Sequence, residues 1–175
     1  MFSIAKKDLV VGLDKMPKPD VGAPSPLIMS NEHTILLAYF VSQPDPDWDG
    51  TYVSLLGPDT VGQIIALVQF RHYRSYTLGA PNNEAFSGHP LYSRGLRPHA
   101  IFEVQGSSWI HRLERMNAVH PRHMPAIFAD YRHFIFAFHD STFECVAEEV
   151  TVTLYKGTFR SVVPEMEKLL GWDSV

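Results

Sequence analysis

The stretch from Arg132 to Val150 limits the fold more than any other part of the chain. Its sequence, RHFIFAFHDSTFECVAEEV, places alternating large apolar residues on both sides of a short polar segment. Because side chains alternate between the two faces of a β-strand, this pattern predicts a β-hairpin with its turn at His139–Thr142. The pairs expected from a turn centred on Asp140 and Ser141 are Phe138 with Phe143, Phe136 with Cys145 and Phe134 with Ala147.

The two faces of this hairpin differ in chemistry. The six paired residues form one wholly apolar face, which we expect to face the core. A slip of one residue would place Glu144 and Glu148 opposite the phenylalanines, so burial fixes which face turns inward. The other face, called the polar face below, carries ionisable groups among aliphatic ones. On it we expect His139 to lie diagonal to Glu144, a separation that long side chains can bridge.

Length and charge narrow the class of protein. A chain of 175 residues is predicted to form a single domain, residues 1–175, and its net charge of −4 argues against a nucleic-acid binder. Cys145 is the single cysteine, which fits a reducing compartment. The amino terminus does not resemble a secretory signal, and no apolar run is long enough to cross a bilayer. We therefore expect a cytoplasmic protein with no membrane partner.

Two proline- and glycine-rich segments interrupt the regular patterns. Residues 16–26, MPKPDVGAPSP, are predicted to form an extended arm, because proline fixes φ and removes amide donors. Residues 79–98 contain three glycines and three prolines and are predicted to form a long loop without regular structure. Loops of this length are uncommon in compact domains unless they carry function, so we expect this one to line a site.

The remaining patterns indicate an α+β fold. Ser108–Asn117 is predicted to be a helix capped by Ser107, and Arg160–Leu170 a closing helix capped by Ser161. About seven apolar strands accompany them, and Arg71–Tyr76 is predicted to continue one of these strands. We expect a curved antiparallel sheet, with a half-closed barrel as its variant, and two helices packed on it.

Motifs for metals and nucleotides are weak. The segment QPDPDWDG resembles the opening of a calcium-binding loop, with Asp45, Asp47 and Asp49 followed by Gly50. Leu56 stands where the final glutamate ligand should be, so an acidic hairpin loop is favoured. The chain has nine histidines but no recognised metal-binding spacing, and it has no GxSxG or phosphate-binding glycine motif. A metal ion is left open as a cofactor, with His89, His139 and Glu144 as weak candidate ligands.

The candidate site combines the long loop with the polar face of the hairpin. We expect a small ligand or a protein partner to bind between residues 82–97 and residues 132–150, because convergent polar groups on apolar walls are typical of ligand sites. The sequence makes no prediction of oligomeric state. The candidate contact residues are Glu84, His89, Tyr92, Arg94, His139 and Glu144.

Two other classes of function compete with ligand binding. One is a metal-dependent hydrolase or general acid–base enzyme, in which His139 is the ligand or base and Glu144 orients it. The other is a structural or inhibitory protein that uses exposed aromatic residues such as Trp48 and Tyr76. Stoichiometric metal lost with His139→Ala would favour the enzyme, whereas stabilisation by one class of compound would favour the ligand binder.

Overall fold

A computed structural model describes residues 8–22, 24–43 and 56–172 of the chain. The helices in these ranges are α1 (Ser108–Asn117) and α2 (Phe159–Leu169), and short 3-10 helices lie at Phe86–Gly88, Tyr92–Arg94 and Pro125–Phe128. The strands are β1 (Leu9–Gly12), β2 (Leu27–Ser30), β3 (Thr34–Phe40), β4 (Gln63–Arg71), β5 (Ser75–Gly79), β6 (Ile101–Gln105), β7 (Arg132–Ala137), β8 (Thr142–Ala147) and β9 (Glu149–Gly157). The described ranges contain no helix with the length and apolar character that crossing a bilayer requires.

The strands form two antiparallel sheets. The first sheet has the order β1-β6-β7-β8-β5, and the second sheet has the order β2-β3-β4-β9. The predicted α+β class with antiparallel strands and two helices is confirmed. The described strands number nine rather than about seven, they are divided between two sheets, and these sheets are not closed into a barrel. The half-closed barrel was therefore wrong.

Two of the places where the chain passes from one sheet to the other lie next to each other. Strand β4 ends at Arg71, and His72 adopts a φ of 51°, which turns the chain away from the second sheet before β5 begins in the first. The prediction that Arg71–Tyr76 continues one strand was wrong for this reason. The second of these crossings is the bend at Glu148, between β8 and β9. It lies beside the first, because Nδ1 of His72 is 3.0 Å from the Glu148 carboxylate.

The main core lies between the two sheets. The predicted apolar face of the hairpin is confirmed, because all six of its residues are buried there against β3 and β4. Phe70 of β4 contacts this face with its ring centroid 5.6 Å from that of Phe134 and 5.5 Å from that of Phe143. Cys145 belongs to this core, and burial raises the pKa of its thiol far above the ordinary value.

The register of the hairpin differs from the predicted one by two residues. Phe134 pairs with Cys145 rather than Ala147, and the last pair of the ladder is Ala137 with Thr142. The Phe138 amide donates to the Ser141 carbonyl at 2.9 Å and closes the turn. A shift of two residues leaves every side chain on its face, so the alternation of apolar residues could not detect it.

Helix α2 covers the outer face of the second sheet. It begins after Thr158, whose side chain accepts from the Ser161 amide while the Ser161 hydroxyl lies 3.1 Å from the Thr158 amide. Ser161 is thus the third helical residue of a capping box, and its prediction as the cap was wrong. The buried residues of this layer are Leu36, Ala38, Phe40, Ile65, Leu67, Phe159, Val162, Met166 and Leu170.

The long loop and helix α1 lie on the outer face of the first sheet. Phe86 and Leu96 of the loop are buried against strands β6 and β7. Helix α1 begins after Ser107, as predicted, because the Ser107 side chain accepts the amides of Trp109 and Ile110. No residue of α1 is fully buried, and the helix and loop leave an opening between them.

The proline-rich arm runs beside the end of β3. The Asp20 amide donates to the Phe40 carbonyl at 2.9 Å, and the Ser42 amide donates to the Lys18 carbonyl at 2.9 Å. The calcium-loop motif at residues 45–50, with Trp48 inside it, lies outside the described residues.

Candidate functional site

A cleft of about 510 Å³ opens on the outer face of the first sheet. The long loop forms one wall, helix α1 forms the other, and β5, β7 and β8 form the floor. The residues that line this cleft are Asp8, Thr77, His89, Pro90, Leu91, Ser108, Trp109, Arg112, Arg115, His133 and Glu144.

Glu144 lies at the centre of the floor, between two buried histidines. Its Oε2 atom lies 2.8 Å from Nε2 of His133, and its Oε1 atom lies 3.4 Å from Nε2 of His89. Glu144 pairs across the ladder with Ile135 on one side and Thr77 on the other, so His133 reaches it diagonally. Each carboxylate oxygen therefore has one imidazole partner.

The neighbours of the two imidazoles determine where their protons lie. Nδ1 of His89 accepts the Leu91 amide at 3.1 Å, so the proton of a neutral His89 is on Nε2 and points at Glu144. Ser107 Oγ already accepts two amides, so its hydroxyl donates to Nδ1 of His133 at 2.9 Å. The proton of a neutral His133 is then also on Nε2, and all four ring nitrogens have partners.

Glu144 is the ionisable group of this trio that a ligand can reach. Its side chain is 23% exposed, whereas the side chains of His89 and His133 are 5% and 4% exposed. Burial by itself raises the pKa of Glu144, but the hydrogen bonds from His133 and His89 outweigh it and lower the pKa to about 2. The floor of the cleft therefore carries a fixed negative charge at neutral pH.

The helix wall carries the opposite charge. Ser108, Arg112 and Arg115 line the cleft at the i, i+4, i+7 spacing of one helix face. Both arginines are exposed, and neither guanidinium makes a hydrogen bond or ion pair within the ranges that the structure describes. Trp109 packs edge-on against His133, with ring centroids 5.0 Å apart, and adds an aromatic surface beside the floor.

The structure brings together two of the six predicted contact residues, His89 and Glu144. Tyr92 turns away from the cleft, with its ring 6.3 Å from that of Phe86 and beneath the Arg97 guanidinium. Glu84 is exposed on the loop, and neither it nor Arg94 lines the cleft.

His139 lies outside the cleft, so its expected position diagonal to Glu144 was wrong. Strand β7 ends at Ala137, and His139 falls in the turn, where its Nδ1 lies 2.9 Å from the Asp140 carboxylate. Its ring lies 5.9 Å from that of His99. Of the three candidate metal ligands, His89 and Glu144 therefore meet, whereas His139 lies apart from them. No group of three His, Cys, Asp or Glu side chains suited to a metal ion occurs within the described part of the chain.

The sequence-based set missed most residues that line the cleft, among them His133, Arg112 and Arg115, and it also missed Ser107. The sequence could have identified His133, because the alternation of side chains along the hairpin places it on the same face as Glu144. Ser107 was predicted as a helix cap, but its contact with His133 joins residues 26 positions apart, which no local pattern reports. Arg112 and Arg115 share a helix face, yet the sequence does not say what that face borders.

Comparison with protein families, with characterised proteins and with solved structures finds no match for this chain. Its function is therefore inferred from the chemistry of the cleft.

Proposed function

We propose that the protein binds a small polar ligand in the cleft, through hydrogen bonds that the ligand donates to Glu144. The observation that carries this proposal is a partly exposed carboxylate whose pKa is about 2, fixed by two buried imidazoles at the base of an open cleft. An ionised carboxylate has about four acceptor positions, and the two histidines use two of them. The remaining positions suit an ammonium or hydroxyl group.

The rigidity of the floor supports a binding role. His133 is held between Ser107 and Glu144, and His89 is held by the Leu91 amide. The carboxylate is therefore oriented before a ligand arrives, which lowers the entropic cost of binding. The volume of the cleft also falls within the usual range for small-molecule sites.

A general acid–base enzyme is less well supported by this geometry. Such catalysis works best with a group whose pKa lies near the operating pH, whereas Glu144 has a pKa of about 2. The ring nitrogens of His89 and His133 already have partners, and His139 lies elsewhere. The alternative of a structural or inhibitory protein depends on exposed aromatic residues that a partner protein would contact. Tyr76 is such a residue on the edge strand β5, but it does not line the cleft.

A panel of small primary amines and polyols tests the proposal. We expect at least one class to shift the backbone amide resonances of Thr77, Trp109 and His133 and to raise the melting temperature. Glu144→Gln keeps the shape of the side chain but removes its charge, and we expect it to weaken that binding at least tenfold.

Glu84→Gln is the matched control, because Glu84 is an exposed glutamate on the long loop that does not line the cleft. It should leave binding unchanged. The proposal is contradicted if no compound shifts these resonances, or if Glu144→Gln binds as tightly as the unmodified protein.

A further inference from the structure

We infer that the ligand is a small zwitterion of the amino-acid class, with an ammonium group on Glu144 and a carboxylate on Arg112 and Arg115. This inference rests on the proposed function, because it assigns the second end of a ligand whose first end lies at the floor. What the inference adds is a binding site for an anion on helix α1, and the evidence for it is the position and surroundings of Arg112 and Arg115.

The two arginines are positioned to bind one anion together. They are three residues apart on the face of α1 that borders the cleft, so their side chains are neighbours on the helix surface. A guanidinium presents its N–H donors in a planar fork that matches a carboxylate. On most helix surfaces such arginines are only solvated, but these two extend the same face as Ser108, beside the floor.

The acidic side chains around this wall are already engaged, so they leave the arginines uncompensated. Asp8 accepts the Ser108 amide at 2.6 Å, and Glu144 accepts from its two histidines. Glu114, on α1 itself, lies 2.6 Å from His123.

The spacing of the two charges sets the length of the ligand. Trp109 contacts His133, which bonds Glu144, so the first turn of α1 stands directly beside the negative floor. A helix rises 1.5 Å per residue, which places Arg112 and Arg115 about 6 Å and 10 Å beyond Ser108 along the axis. A flexible ligand with a few carbons between its charged ends can bridge this distance.

The same arrangement selects against ligands with only one charged end. A lone amine at the floor gains nothing from the arginines, and a lone carboxylate on the arginines lies near the negative Glu144. Discrimination of this kind combines attraction for the correct ligand with repulsion of the wrong one.

Linear ω-amino acids, from glycine to 6-aminohexanoate, are suitable probes, because their length increases by one methylene at a time. Each is compared with the n-alkylamine and the n-alkanoate of equal length, by titration followed through backbone amide resonances. We expect an optimum length at which the amino acid binds at least tenfold more tightly than either partner compound. The double variant Arg112→Gln, Arg115→Gln should remove that advantage and leave the affinity for the alkylamine unchanged or higher.

Arg122→Gln is the control, since Arg122 is exposed beyond the end of α1 and does not line the cleft. If the alkylamine binds as tightly as the amino acid and the arginine variants have no effect, the inference is wrong but the proposed function stands. If only polyols shift the resonances of the cleft, the inference is wrong but the proposed function stands. If neither the three series nor the polyols shift these resonances, or if binding is indifferent to Glu144→Gln, both are wrong. The amide spectrum of each variant shows whether it is folded.

Discussion

The two helices lie on the outer faces of two sheets, yet they cover those faces differently. Helix α2 buries Phe159, Val162 and Met166 against the second sheet, and the ring of Phe159 lies 4.5 Å from that of Phe40. Helix α1 has no fully buried residue and meets the first sheet largely through the cap residue Ser107 and partly buried side chains such as Trp109.

The side chains of the sheets explain this difference. The face under α2 is apolar, so removing it from water is favourable and the helix can close over it. The face beside α1 carries His133 and Glu144, and burying such groups is costly unless they find partners. Helix α1 therefore acts as a polar wall that supplies a hydroxyl to His133 and leaves Glu144 within reach of solvent. Helix α2 contributes mainly stability, and helix α1 forms one wall of the cleft.

The largest expected effect comes from truncating one methionine in each helix. Met166 in α2 is 0% exposed and Met116 in α1 is 66% exposed. We expect Met166→Ala to lower the free energy of unfolding by about 2–5 kcal/mol, because it leaves a cavity, and Met116→Ala to change it by less than about 0.5 kcal/mol. Denaturant unfolding measures both. Similar losses for the two variants would break the comparison between the helices.

The second expected effect is a loss of stability in acid that depends on Glu144. Folding lowers the pKa of Glu144 from an ordinary 4.5 to about 2, so its stabilising contribution is complete above pH 4.5 and is lost as the pH falls through 2. A tenfold change in proton affinity corresponds to about 1.4 kcal/mol, which makes the contribution about 3 kcal/mol.

This contribution is measured by comparing the unmodified protein with Glu144→Gln between pH 5 and pH 2. The stability advantage of the unmodified protein should disappear over that interval. A difference that stays constant with pH would show that the two histidines do not hold the carboxylate ionised.

The smallest expected effect separates the two helix caps. Ser107→Ala and Thr158→Ala each remove a capping side chain and should cost about 1 kcal/mol. Only Ser107 also bonds His133, so Ser107→Ala alone should change the ¹⁵N chemical shifts of the His133 ring. If Thr158→Ala changes those shifts equally, the link between α1 and the floor is absent.

The hairpin shows how far sequence patterns reach. The alternation between Phe134 and Ala147 predicted the buried face, because burial of a whole row of side chains depends only on which face each residue occupies. The register depends on the turn, and shifting it by two residues costs no burial. Because of this error, His139 was expected beside Glu144, and His133 was left out of the predicted site. His133 lies on the same face of the hairpin as Glu144 and, unlike His139, it belongs to strand β7.

The division into two sheets could not be predicted from local patterns either. Strands β4 and β5 follow each other in the chain, and the residues that join them, 71–76, form one basic and aromatic run. The positive φ of His72 nevertheless turns the chain there, and the two strands belong to different sheets. Which strands pair is decided by tertiary packing of residues far apart in the chain. The same applies to the cleft, where Ser107, His89 and Glu144 come from three separate segments.

The bend at Glu148 makes β8 and β9 one ribbon that is shared by both sheets. Glu144 lies four residues before this bend, and β9 forms an edge of the opposite sheet directly after it. The two sheets are therefore connected directly by a continuous length of β-strand and do not pack as two separate units. Any sliding of one sheet across the other would have to bend this ribbon further at Glu148. The relative position of the two sheets is therefore restrained four residues from Glu144, the proposed ligand-binding carboxylate.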